Sequence, residues 1–160
     1  MKKTIFTSVI LILLSCFSFG QAWIPVGKGV NNTVYVLDSA NGQLYIGGNF
    51  DSAGGIPINK ITSWNGNSYF PLGSGLNGYP SCMLEYNGNL IVGGAFTSAG
   101  GAAANNIAIW NGSSWSALGS GVNSLVSALA VYNGNLYVAG VFDSAGGYPA
   151  KHIAVWNGAS

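Results

Sequence analysis

The residues of this chain that could carry chemistry begin with a few carboxylates. Asp51 and Asp143 precede two copies of a Gly-rich stretch, SAGG, and Thr97 precedes the third copy. Calcium takes about six to eight oxygen ligands, so oxygen-bearing side chains at these places could bind it. One carboxylate per loop is few for that ion, and side chains of this kind also hydrogen-bond their own turn backbone. We expect the structural role and no metal site.

Side chains for acid–base or nucleophilic work are equally sparse. His152 has Lys60 and Asn106 at the equivalent places, so neither a metal site nor a general base is expected there. Cys82 is expected to be a small buried hydrophobe. Asp38 and Glu85 are interpreted as exposed, solubilising charges. The sequence therefore predicts no catalytic residue, no metal and no cofactor, and we do not expect an enzyme.

The glycine-rich stretch IVGGAFTSAGG at 91–101 could instead wrap backbone amides around a phosphate. Two similar stretches occur elsewhere in the chain, YIGGNFDSAGG at 45–55 and YVAGVFDSAGG at 137–147. A phosphate loop is needed once per site and precedes a helix, whereas this stretch recurs and no helical pattern follows it. The glycines are predicted to be structural.

These stretches belong to a repeat of 46 residues that runs from residue 23 to residue 160. Its units are 23–68, 69–114 and 115–160. The same interval separates four sets of residues: Phe50, Phe96 and Phe142; Trp64, Trp110 and Trp156; Trp23, Tyr69 and Trp115; Gly27, Gly73 and Gly119. A period of this length indicates a repeat architecture.

Each unit is predicted to supply four β-strands. In the third unit VSALAVY (126–132) and NLYVAGVF (135–142) flank an Asn-Gly pair, which favours a type I′ hairpin turn. A DSAGG connection, the strand HIAVW (152–156) and a second Asn-Gly pair follow. SSWSAL (113–118) is typical of the fourth strand, and AWIPVG at 22–27 is predicted to be a strand of the same type. The fold class is all-β, with two antiparallel hairpins per unit.

The inner strands are apolar on both faces, whereas the outer strand has one face that is expected to contact solvent. This pattern is typical of a β-propeller blade. NGNLYVAGVF, HIAVWNG and SSWSALGSG resemble kelch-like and delta-60-like blades, and above all the propeller repeats of exported Bacteroidetes proteins. Ala139-Gly140 departs from the Gly-Gly of the other units. The resemblance implies a fold and a secreted or surface location, not a function.

Three blades are fewer than the roughly four to eight of a closed propeller, so a partial propeller is expected. Two explanations stay open: further blades of a longer gene product, or a second copy that closes the ring.

The repeated aromatics could stack on sugars or fill the space between blades, and their regular recurrence favours packing. The non-repeating Tyr35, Tyr79 and Tyr148 are the better candidates for ligand contact. Tyr79 and Tyr148 stand beside prolines in what are expected to be loops, where binding residues concentrate.

Residues 1–22 are predicted to be a signal peptide. Lys2 and Lys3 precede an apolar run, and Gly20 and Ala22 suit a cleavage site before Trp23. The alternative is a lipobox, LLSC, with a lipid anchor on Cys16. The run is shorter than a membrane-spanning helix. After the leader the chain contains three lysines and four carboxylates, which gives a net charge of 3 − 4 = −1. Because no excess of positive charge is available to bind phosphates, nucleic-acid binding is not expected.

The sequence favours a non-catalytic, exported binding or adhesion scaffold at the cell surface, with a protein or a glycan as its ligand. The alternative is the non-catalytic portion of a larger secreted carbohydrate-active enzyme.

Overall fold

The computed structural model describes residues 22–158, and all regular elements in that range are β-strands. Most of the proposed leader, with Cys16 and the lipobox, lies outside the described residues. The expectation of an all-β chain of antiparallel hairpins is confirmed.

The strands form three main antiparallel sheets, and each sheet has its strands in the order in which the chain makes them. Sheet I contains β1 (Val34–Ala40), β2 (Gln43–Gly48), β5 (Ile61–Trp64) and β6 (Tyr69–Pro71). Sheet II contains β7 (Tyr79–Tyr86), β8 (Asn89–Ala95), β11 (Ile107–Trp110) and β12 (Trp115–Ala117). Sheet III contains β13 (Val126–Tyr132), β14 (Asn135–Gly140) and β17 (Ile153–Trp156).

The Gly-rich connections are small hairpins rather than plain loops. Their two-residue strands are β3 (Ser52–Ala53) with β4 (Ile56–Pro57), β9 (Ser98–Ala99) with β10 (Ala102–Ala103), and β15 (Ser144–Ala145) with β16 (Tyr148–Pro149). The two glycines between the strands have positive φ in all three copies, for example +62° at Gly54 and +88° at Gly55. Glycine adopts this conformation without a steric penalty, so the stretch is a turn sequence.

The two kinds of Asn-Gly pair form different turns. The first kind has both residues at positive φ, as at Asn41 (51°) and Gly42 (71°), which is the predicted type I′ geometry. In the second kind only the glycine has positive φ, as at Gly66 (96°). There the Asn65 side chain accepts hydrogen bonds from the backbone N–H groups of Asn67 and Ser68, both at 2.9 Å. The second hairpin is therefore closed by an asparagine side chain.

The Gly-Gly pair near the end of the second strand in sheets I and II is required by two separate contacts. At Gly48 and Gly94 an added Cβ would meet the backbone of the bulged first strand of the same sheet. At Gly47 it would lie 2.6 Å from Pro80 Cγ, on the first strand of the next sheet. Ala139 occupies the Gly47 position in sheet III, which has no further sheet against that face in the described chain.

The three sheets lie in a row, because β7 packs against both β1 and β13. One apolar core joins sheets I and II and includes Tyr45, Ile61 and Val92. A second core joins sheets II and III and includes Ile91, Ile107 and Leu136. A third, smaller cluster lies on the free face of sheet I.

The fourth-type strand predicted at 22–27 is not formed. Residues 22–26 carry no strand, and Trp23 and Ile24 are fully or largely exposed. The physical reason lies in the topology: each fourth strand pairs with the sheet that precedes it in the chain, and within residues 22–158 no sheet precedes this segment.

Candidate binding surface

Two of the three predicted contact residues, Tyr35 and Tyr79, lie together across the boundary between sheets I and II. Their ring centroids are 5.5 Å apart and their planes are inclined by 68°, an edge-to-face arrangement. Tyr35 is 49% exposed and Tyr79 is 40% exposed, so both rings remain open to solvent. An exposed pair of rings offers apolar faces and phenolic hydroxyls to a ligand.

A β-bulge directs Tyr35 toward sheet II. Val34 pairs with Gly48 and Val36 pairs with Gly47, so Tyr35 is the extra residue between them. The same bulge recurs in β7 at Ser81, whose hydroxyl donates a hydrogen bond to the Val126 carbonyl of sheet III. In sheets I and II the bulge therefore points one side chain at the next sheet, and bulges often re-aim side chains in this way.

Tyr79 is the first residue of β7, where it pairs with Ala95, and Tyr148 belongs to β16. Both were expected in loops, and both lie in strands at the same end of the sheets as Tyr35. Tyr148 is 78% exposed and lines a cavity beside Trp156 of sheet III. The structure thus unites Tyr35 with Tyr79, while Tyr148 belongs to a separate place.

Three asparagines, which the sequence reasoning did not single out, hold the loops at this end of the sheets. Asn77 donates from Nδ2 to Thr97 Oγ1 at 2.8 Å and accepts from the N–H groups of Thr97 and Ser98 at 2.9 Å. Asn31 and Asn123 make the same three bonds. Their spacing of 46 residues is the signal that could have identified them.

The same bonds account for the carboxylates considered above as calcium ligands. The carboxylates of Asp51 and Asp143 each accept a hydrogen bond of 2.6 Å from the asparagine amide. Among residues 22–158 no three His, Cys, Asp or Glu side chains are grouped as metal ligands would be.

His152 is exposed, with a backbone φ of +66°, and Lys60 (+67°) and Asn106 (+61°) have similar values at the equivalent places. Its N–H donates to the Phe142 carbonyl at 2.9 Å, and its own carbonyl accepts from Gly140 N–H at 3.0 Å. The backbone of His152 therefore connects β17 to the end of β14 in sheet III through these two hydrogen bonds.

Cys82 is partly buried beside the core between sheets II and III, and its Sγ lies 3.9 Å from the Val126 carbonyl. Burial raises the pKa of the Cys82 thiol to about 11, although hydrogen bonds with Ser81 and Gly93 act in the opposite direction. The thiol is consequently protonated at neutral pH and a poor nucleophile.

Glu85 is exposed as expected, but Asp38 is only partly so. One Asp38 carboxylate oxygen accepts from the Ser39 N–H at 2.8 Å, and the other is enclosed without a hydrogen-bond partner.

The repeated aromatics lie at different depths in the packing. Phe50, Phe96 and Phe142 are buried in the three apolar clusters. The third-strand and fourth-strand aromatics pack as pairs, with centroids 4.6 Å apart for Trp64–Tyr69 and 5.3 Å apart for Trp110–Trp115. Trp156 lies at the edge of the second core, and Trp23 contrasts with all of them in its full exposure.

No helix long and apolar enough to cross a bilayer occurs between residues 22 and 158. Comparison of the chain with models of known families, with curated sequences and with solved structures found no match.

Proposed function

We propose that this chain is a non-catalytic, exported β-propeller scaffold that binds a protein or glycan at the cell surface through Tyr35 and Tyr79. The observation that carries the proposal is the pair itself. Two half-exposed rings at 5.5 Å meet at the junction of two sheets. Exposed aromatic side chains on a rigid framework are typical anchors of binding surfaces.

The rigidity of the surroundings supports this assignment. The bulge fixes the backbone at Tyr35, and Pro80, which is fully buried, follows Tyr79 directly. The bonds of Asn31 and Asn77 hold the neighbouring loops. A ligand that meets such a surface causes little loss of conformational freedom in the protein, which favours affinity.

The propeller assignment is supported by the row of sheets. Two sheets are four-stranded meanders, and their first strands pack side by side with apolar cores between the sheets. Antiparallel meanders stacked in this way suit blades around a common axis.

A non-catalytic role is supported by the side chains that could have done chemistry. The carboxylates of Asp51 and Asp143 are hydrogen-bonded to asparagine amides, and the raised pKa of Cys82 keeps its thiol protonated.

Export and the signal peptide at 1–22 belong to the same proposal. N-terminal sequencing of the secreted chain tests them, and the expected first residue is Trp23.

The test is binding of the purified chain to a glycan array and to a panel of extracellular-matrix proteins. We expect at least one saturable ligand, and we expect Tyr35→Ala with Tyr79→Ala to weaken that binding by about tenfold or more.

The matched control is Tyr132→Ala. Tyr132 is also exposed and also pairs edge to face, with a ring-centroid distance of 6.1 Å to Tyr137. It is the last residue of β13, whereas Tyr35 and Tyr79 lie at the beginnings of β1 and β7, so it is at the opposite end of the sheets. Loss of binding in this control alone, or no binding across both panels, would refute the proposal.

A further inference from the structure

A cavity of about 430 Å³ lies beside sheet I, and its lining includes neither Tyr35 nor Tyr79. Trp64 at the end of β5, Tyr69 at the start of β6 and Lys28 line it. Cavities that hold small ligands have volumes of about 300–1,000 Å³, so this one is large enough for a single small ring. The groups around it indicate which ring it could take.

The backbone that precedes Lys28 is held by a contact that recurs in the repeat. In sheet I the Tyr69 hydroxyl donates a hydrogen bond to the Val26 carbonyl at 2.6 Å. In sheet II the equivalent Trp115 Nε1 donates to the Leu72 carbonyl at 2.7 Å. The repeat therefore fixes the turn that carries Lys28 to the aromatic side chains below it.

Two aromatic rings form the apolar wall of the cavity. The ring centroids of Trp64 and Tyr69 are 4.6 Å apart, and their planes are inclined by 50°. Tyr69 is buried, whereas Trp64 is partly exposed. Because the face of an aromatic ring is electron-rich, it attracts the C–H groups of a sugar ring that packs on it.

Lys28 supplies the charge at the cavity. Within residues 22–158 its ammonium group has no ion-pair or hydrogen-bond partner, whereas the Lys60 ammonium donates to Asn49 Oδ1 at 2.9 Å. An ammonium group without a partner in the protein is available to a ligand. A carboxylate is the suitable partner, because hydrogen bonds between two charged groups are stronger than those between neutral groups.

The turn between β5 and β6 adds neutral polar groups. Asn67 and Ser68 both line the cavity. Asn67 Nδ2 donates to Ser68 Oγ at 3.2 Å, which leaves Asn67 Oδ1 as an acceptor and the Ser68 hydroxyl as a donor. These groups suit the hydroxyls of a sugar.

The equivalent place in sheet II has the aromatic pair without the charge. Trp110 and Trp115 pack there with centroids 5.3 Å apart, and Ser74 replaces Lys28. Of these two places, only the one in sheet I combines an aromatic wall with a cation. Sheet II therefore provides an internal control for the effect of the charge.

We propose that the cavity beside Lys28 binds an acidic sugar, a uronic acid whose carboxylate accepts from the Lys28 ammonium and whose ring packs on Trp64. Asn67 and Ser68 bind its hydroxyl groups. This site is separate from the binding surface proposed above and does not depend on it.

The test is titration of the full chain, purified as the host releases it and isotope-labelled, with sodium glucuronate. The readout is the NMR signals of the tryptophan indole N–H groups. We expect a saturable shift of the Trp64 signal, which Trp64→Phe assigns by removing it, and a much smaller shift of the Trp110 signal. Methyl glucoside, which lacks the carboxylate, should bind about threefold or more weakly, and acetate, which lacks the ring, should give no saturable shift.

Substitutions of lysine test the role of the charge. Lys28→Ala should weaken glucuronate binding by about threefold or more, and Lys28→Arg should retain it. Lys151→Ala is the matched control, because Lys151 is also an exposed lysine but does not line the cavity. Because the two charges meet near solvent, the affinity of the wild type should fall as the salt concentration rises.

The two proposed sites are separated by the variant that carries both Tyr35→Ala and Tyr79→Ala, which should bind glucuronate as the wild type does. Loss of glucuronate binding in that variant would overturn the assignment to this cavity. So would an unchanged Trp64 signal, equal binding by the wild-type and Lys28→Ala chains, or equal affinities for glucuronate, methyl glucoside and acetate.

Discussion

Val126 of sheet III packs directly on Gly93 of sheet II: a Cβ on Gly93 would lie 2.5 Å from Val126 Cγ1. Gly93 also has Cys82 Sγ within 2.8 Å of that position, so the space on this side is filled. The glycine lets the first strand of one sheet approach the second strand of the preceding sheet.

Gly93→Ala is expected to destabilise the fold by about 1–3 kcal/mol, because it overpacks the boundary between sheets II and III. The measurement is the midpoint of urea unfolding. Val126→Ala should cost less in the Gly93→Ala background than in the wild type, since it removes the clash. Strictly additive effects of the two changes would contradict the steric explanation.

Asn77→Ala is expected to lower the free energy of unfolding by about 1–3 kcal/mol, since it removes three hydrogen bonds to Thr97 and Ser98. Asn67→Ala is the control, because the Asn67 side chain makes one bond, to Ser68 Oγ at 3.2 Å. Thermal unfolding of both variants tests this. Equal shifts would mean that the three bonds of Asn77 contribute no more than an exposed turn bond.

Lys60 and His152 adopt left-handed backbone conformations, with φ of 67° and 66°. Asparagine tolerates this region better than lysine or histidine, and the repeat itself has Asn106 at the third equivalent place. Lys60→Asn and His152→Asn are each expected to stabilise the chain by about 0.5–1 kcal/mol. Lys151→Asn, at a neighbouring residue with ordinary φ, should change the denaturation midpoint little; a decrease with His152→Asn would refute the argument.

The raised pKa of Cys82 makes stability dependent on pH in the alkaline range. The unfolded thiol ionises near its ordinary pKa of 9.0, whereas the folded thiol ionises near 11. The stabilisation is therefore fully present below about pH 9 and is lost as the pH rises to about 11, up to about 2–3 kcal/mol. Burial also raises the pKa of Tyr45 and Tyr69, which adds a decrease of the same sign at higher pH.

The check is urea unfolding of wild type and Cys82→Ala between pH 8 and pH 11. The unfolding free energy of the wild type should decrease relative to that of Cys82→Ala as the pH rises from about 9 to about 11. The Cys82 thiol of the folded wild type should react slowly with iodoacetamide at pH 7.5. A pH-independent difference would show that the thiol has the same pKa in the folded and unfolded chains.

The sequence by itself determined the local structure of this protein. Alternation of apolar residues, Asn-Gly pairs and the interval of 46 residues specify antiparallel hairpins, because the turn conformations and the two-residue period of a strand are properties of short segments. β13 spans Val126–Tyr132, as the pattern predicted.

Only the tertiary structure decided which side chains meet. Tyr35 and Tyr79 are 44 residues apart, and a bulge together with the packing of β1 on β7 brings their rings to 5.5 Å. The same limit explains the error at 22–27: those residues have the sequence of a fourth strand, yet a strand forms only where a partner edge is available, and that availability is a property of the assembled sheets.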